Sequence, residues 1–121
     1  MHAIAHGLSL AAGAAFILIG SFALAVPQRL ARTYGSPVTE RGGLAFVRAT
    51  GIRDMALGAV LIAAVLHGDA FLLRVVIASG CIIALADLAI AYTGAERRLR
   101  PEHAAHLAGA IGFALILIFL I

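Results

Sequence analysis

A chain of 121 residues that is 63% hydrophobic and only 12% charged carries more apolar surface than one small core can hide, since a soluble domain is about half apolar and a quarter charged. Its mean hydropathy of +1.06 makes the lipid bilayer the expected solvent and partner for much of that surface. The net charge of +3 is not a nucleic-acid footprint, because the basic residues gather in short links between apolar runs, where orientation in a membrane accounts for them.

All nine basic residues are arginine, and lysine and asparagine are absent. Both missing residues have AT-rich codons, which suits a GC-rich bacterial genome. The single cysteine, Cys81, cannot form an internal disulfide. It lies in an apolar run and reads as a small buried hydrophobe.

In chain order, the first apolar run covers 7–26, about the 20 residues needed to cross a hydrocarbon core. Ala23-Leu-Ala25 fits a signal-peptidase site. The leading Met1 to His6 holds no Arg or Lys, however, and the run is long for a signal sequence, so a retained helix is expected. Ser9, Gly13, Ala11 and Ala15 are small residues at four-residue spacing, as close helix packing in lipid requires. Pro27 ends this helix. The polar link to Gly43 carries Arg29, Arg32, Glu40 and Arg41, with a short interfacial turn that sets Tyr34 at headgroup level. Gly35-Ser-Pro37 and Gly42-Gly43 act as breakers.

A second helix is predicted over 44–66, a tight turn at His67-Gly-Asp69, and a third helix over 70–93. Arg74, near the start of the third, can snorkel to the interface. A second polar link holds Glu96, Arg97, Arg98 and Arg100. Pro101 then opens a fourth helix over 102–121. Four spans joined by short links predict an all-α, antiparallel four-helix membrane bundle forming a single domain, 1–121. Arginine concentrates in the first and third links, which fall on one side. The positive-inside rule makes that side cytoplasmic, with both termini outside a bacterial inner membrane.

The stretch Arg48-Ala-Thr-Gly-Ile-Arg-Asp-Met-Ala-Leu-Gly58 sets two arginines and an aspartate inside the second span. A charge at a helix centre costs roughly 2.5–3.5 kcal/mol on insertion scales, so these residues are expected to meet partners or a wet cavity. At 1.5 Å rise per residue, Arg53 lies about 14 Å and Asp87 about 9 Å in from the cytoplasmic side. Arg48 and His106 lie about 6 Å in. Asp54 shares a face with Gly51 and Gly58, and Asp87 with Gly80, Ala84 and Ala91. Small faces are what helices press together in lipid, so both aspartates are expected to point inward. Arg53 is about 100° around from Asp54, which disfavours a bond between these neighbours and makes Asp87 the expected partner of Arg53.

His103 and His106 stand three apart on the fourth helix, with Glu102 four before His106. This is not the His-Glu-x-x-His zinc signature, and these histidines read as interfacial or pocket-lining; no metal or other cofactor is expected. Tyr92 can place its hydroxyl at the pocket mouth or serve in an aromatic belt. His2, His6 and His67 lie on the opposite side and read as interface residues.

The pattern Arg48-x-x-Gly51-x-Arg53-Asp54-x-x-x-Gly58, in the second of four short spans, resembles the small bacterial and fungal membrane proteins grouped as domain-of-unknown-function family 4267. The resemblance implies a membrane bundle with Arg48, Arg53 and Asp54 as signature positions, and implies no activity. Size and layout are also similar, in topology alone, to the DoxX-like four-helix membrane proteins.

Three functions fit the residues. The first is a pocket open to the cytoplasm that binds a lipophilic small molecule with an oxygen-rich head. There Arg48 and Arg53 hold its oxygens, His103, His106 and Tyr92 line it, and Asp54 or Asp87 exchanges a proton in a cofactor-free isomerisation, cyclisation or ring opening. The second is transport, for which one bundle is thin and a homodimer or larger assembly is needed, with Ala105, Gly109 and Gly112 as contact surface. The third is an assembly subunit whose buried charges serve packing alone.

Overall fold

The computed structural model describes residues 2–34, 37–94 and 101–120. Every regular element among them is helical: α1 (His2–Ala25), α2 (Pro27–Thr33), α3 (Arg41–His67), α4 (Ala70–Gly94), a single 3-10 turn at Pro101–His103, and α5 (Ala104–Leu120). Three of these, over Ala3–Ala25, Arg41–His67 and Ala70–Thr93, are long and apolar enough to cross a membrane. The protein is thus, by composition, a membrane protein. α5 is apolar apart from His106 but has 17 residues, about 26 Å of helix.

Local chemistry explains the boundaries. Pro27 has no N–H to continue α1 and instead occupies the first turn of α2, where that loss costs nothing. Gly68 ends α3 with φ +69°, in the left-handed region that glycine enters without steric cost. Its N–H donates to the Val65 carbonyl at 3.1 Å, and the Asp69 N–H donates to Ala64 at 3.1 Å, which closes the helix in a Schellman motif. Asp69 then caps α4, its Oδ1 accepting from the Leu72 N–H at 2.9 Å.

The four long helices form a ring in the order α1, α3, α4, α5, with α1 and α5 closing it and α2 lying against α1 and α3. The α1–α3 seam is built on glycines seven residues apart on both helices. Gly13 meets Gly58, and Gly20 meets Gly51; a Cβ at Gly58 would stand 2.5 Å from the Gly13 carbonyl oxygen. This close approach is what lipid-embedded helices gain from small residues. The contact face of α1 contains Ser9, Gly13, Gly20 and Ala23, all buried, whereas Ala11 and Ala15 are exposed. The four-residue spacing expected to unite both small sets therefore holds for only one. Each alanine is two residues from a buried partner, about 200° around the helix.

On the other side of the ring, the Phe113 ring of α5 lies over Gly80 of α4, where a Cβ would be 2.9 Å from its Cζ. The same ring stacks on Phe16 of α1, with centroids 5.5 Å apart. Leu61, Ala64, Leu73, Ile77, Phe113 and Ile116 make the core beside it. Cys81 is half-buried, its thiol 3.8 Å from the Ala110 carbonyl.

Candidate functional site

Asp54 sits on α3 between Gly51 and Gly58, on the face that presses against α1. That placement leaves 13% of its side chain exposed. Arg53, its neighbour, keeps 43% of its side chain exposed. The two are bonded: Arg53 Nη2 donates to Asp54 Oδ1 at 3.0 Å and Nε donates to the same oxygen at 3.1 Å. The expectation that a 100° offset would keep these neighbours apart is overturned. An offset at the Cα positions does not constrain a guanidinium carried on three methylenes, which folds sideways across the helix surface.

The expected partner across the bundle is also present. Arg53 Nη2 lies 3.7 Å from Asp87 Oδ2 on α4, and the Asp87 side chain is 34% exposed. This is an ion pair longer than a hydrogen bond. One guanidinium thus bridges carboxylates on two helices, gripping Asp54 tightly and Asp87 loosely. With all three ionised, the group carries one negative charge in excess.

Two more elements reach the same place. Tyr34, the residue after α2, is half-buried. Burial pushes its phenol above the ordinary value of 10.0, and the negative charges of Asp54 and then Asp87 add to the effect. Its ring meets that of His106 on α5, with centroids 5.0 Å apart and planes tilted by 43°. Asp87 is close enough to His106 to act on it electrostatically, and His103 stands three residues before it. His103 is 4% exposed. The structure therefore gathers Arg53, Asp54, Asp87, His106 and His103, and adds Tyr34. The sequence places Tyr34 only in a breaker-rich link, where an aromatic reads as a headgroup anchor. The contact arises because α2 packs back on α1 and α3, and no local pattern signals that.

Arg48 stands apart from this group. Arg48 is five residues before Arg53, about 140° around α3; it is exposed and joins no ion pair among the described residues. Tyr92 is half-buried on α4. Among the described residues, no three His, Cys, Asp or Glu side chains gather as a metal site; the side chain of Glu102 lies outside them.

A family model described as a domain of unknown function (DUF4267) matches residues 13–120, a stretch that contains every residue of the cluster. No curated protein and no solved structure matches the chain.

Proposed function

The chain belongs to domain-of-unknown-function family 4267, and we propose that this member receives a lipophilic small molecule, its oxygen-rich head seated on the cluster of Arg53, Asp54 and Asp87. One observation supports this above the others. A guanidinium midway along an apolar helix, already paired to two carboxylates, still has 43% of its side chain accessible. A pair this accessible contributes little to stability, so packing alone does not account for it. The guanidinium has five donors, and those on Nη1 take no partner among the described residues, so they are free to hold ligand oxygens.

The two aspartates then have different tasks. Asp54, bonded twice and nearly covered, fixes the guanidinium plane. Asp87, held only at 3.7 Å and more exposed, exchanges the proton. It needs no redox partner to act as general acid or base, which fits isomerisation, cyclisation or ring opening. Tyr34, near Asp54 and Asp87, and His106, near Asp87, would orient the head, with buried His103 one turn before His106. Arg48 and Tyr92 contribute only if the ligand extends beyond the cluster.

The test is native mass spectrometry of the protein purified in mild detergent, looking for a retained small molecule. Asp87→Asn and Arg53→Gln should fold and lose it. Retention by both variants would mean that binding is elsewhere.

A second reading is favoured by the same bridge: Arg53 connects α3 to α4 and could serve only to hold them in register. Under this reading, Arg53→Leu combined with Asp87→Leu is tolerated or stabilising, as when a buried ion pair is replaced by packed apolar groups. The protein then carries no small molecule.

A further inference from the structure

We propose that the face of α3 bearing Arg41 and Arg48 is a docking surface for the phosphate of an anionic phospholipid. The argument begins with the contrast between the two arginines of α3. Arg53 is paired with two carboxylates. Arg48 is exposed and has no ion pair among the described residues, although it lies well inside a helix long and apolar enough to cross a membrane. A guanidinium at that depth has to find an anion or water. None of the described residues supplies the anion, and the groups beside an outward face of a membrane helix are lipids.

Geometry says which part of the lipid. Arg41 and Arg48 are seven residues apart, two turns of helix, so they fall within about 20° of one face. Ala45 and Ile52 share that face and are exposed, Ile52 at 59%. Over Arg41 to Ile52 this face is therefore left uncovered by the described residues, and in a membrane-crossing helix such a face is left to the bilayer. Arg48 is about 10 Å along the axis from Arg41. Helical side chains lean toward the N-terminus of their helix, and the N-terminus of α3 is the Arg41 end. The lean of Arg48 thus carries its guanidinium toward the membrane surface and toward Arg41, while its methylenes stay in the acyl region. Two guanidiniums on one face, about 10 Å apart along the axis, can each donate to headgroup phosphate oxygens.

Charge complementarity selects an anionic headgroup over a zwitterionic one. Arg29 and Arg32, both exposed on α2, add positive charge at the same end of the bundle. Glu40 is exposed next to Arg41 but makes no ion pair with it among the described residues. Near an anionic surface each arginine is worth about fivefold in affinity.

The experiment uses the full chain in mild detergent with an equimolar mixture of phosphatidylglycerol and phosphatidylcholine, and counts retained lipids by native mass spectrometry. The unaltered protein should keep phosphatidylglycerol over phosphatidylcholine, and Arg48→Gln should lower that preference about fivefold. Arg53→Gln should leave it unchanged, which separates this surface from the cluster of the proposed function. Arg48→Lys, which keeps the charge, should retain most of the preference. Equal retention of the two lipids by the unaltered protein overturns the proposal, however the variants fold. So does an Arg48→Gln variant with undiminished preference, or displacement of the lipid by millimolar inorganic phosphate.

Discussion

Consider Gly58→Ala. The new Cβ would lie 2.5 Å from the Gly13 carbonyl oxygen, 3.0 Å from Ile17 Cγ1 and 3.1 Å from Phe16 Cβ. Side chains can turn aside, but the carbonyl belongs to the α1 backbone and cannot. Real Cβ contacts essentially never fall under 3.0 Å and are ordinary only from 3.4 Å, so α1 and α3 must part by roughly 0.5–0.9 Å along a seam that is otherwise close-packed. Overpacking of this kind costs about 1–3 kcal/mol. Alanine also gains about 1 kcal/mol in helix propensity over glycine, which would mask part of the loss. Gly112→Ala supplies the control, because a Cβ there meets nothing within 4 Å while the propensity gain is the same. The difference between the two variants, measured by unfolding in mixed micelles, should be about 1–3 kcal/mol against Gly58→Ala. Equal stabilities would refute the glycine seam. Asp54 lies one turn from Gly58, so the same variant should also loosen the ion cluster and lower retention of any bound molecule.

Other outcomes follow from particular contacts. A double-mutant cycle between Arg53→Leu and Asp87→Leu should give a coupling of about 0.6 kcal/mol and no more than about 1.7, the range for polar contacts between membrane helices; zero coupling would mean that the 3.7 Å contact is not an interaction. The Tyr34 phenol should ionise at higher pH in the folded protein than in the denatured one, read by phenolate absorbance as the difference from Tyr34→Phe. Because the folded-state value is raised, the associated stability is complete below pH 10 and is lost as pH climbs through the folded value. Tyr34 ionising no later when folded than when denatured would remove it from the neighbourhood of the carboxylates. Ser9→Ala should raise stability by about 1 kcal/mol, since the Ser9 hydroxyl is fully buried without a hydrogen-bond partner among the described residues and such a group keeps its desolvation penalty. A loss in the same micelle assay would show that the hydroxyl has a partner.

Much of this architecture is legible in the residues, for reasons that differ from place to place. Long apolar blocks separated by Pro27 and by Gly68-Asp69 announce helices and turns directly. The helix ends were harder to read: α3 begins at Arg41 rather than at Leu44, because Gly42 and Gly43 break a helix only when nothing else favours it. The partnership of Arg53 with Asp87 followed from the depths of the two residues in their spans. That of Arg53 with Asp54 did not, since Cα angles say little about a long flexible side chain. The split between Ser9–Gly13 and Ala11–Ala15 depends on which face of α1 meets α3, and both faces are equally small. Tyr34 reaches the carboxylates through the fold of a link, a tertiary matter that no periodicity encodes.

The Gly68-Asp69 turn has a mechanical corollary. It fastens α3 to α4 by two residues at one end, whereas the contact of Arg53 with Asp87 lies about 20 Å further along. α3 has its main packing partner in α1, and α4 has its own in α5. The pair joined by the turn is therefore pinned like a clothes-peg at its spring, and any widening between the two limbs grows with distance from Gly68. The ion bridge stands where a small angular change would move atoms furthest.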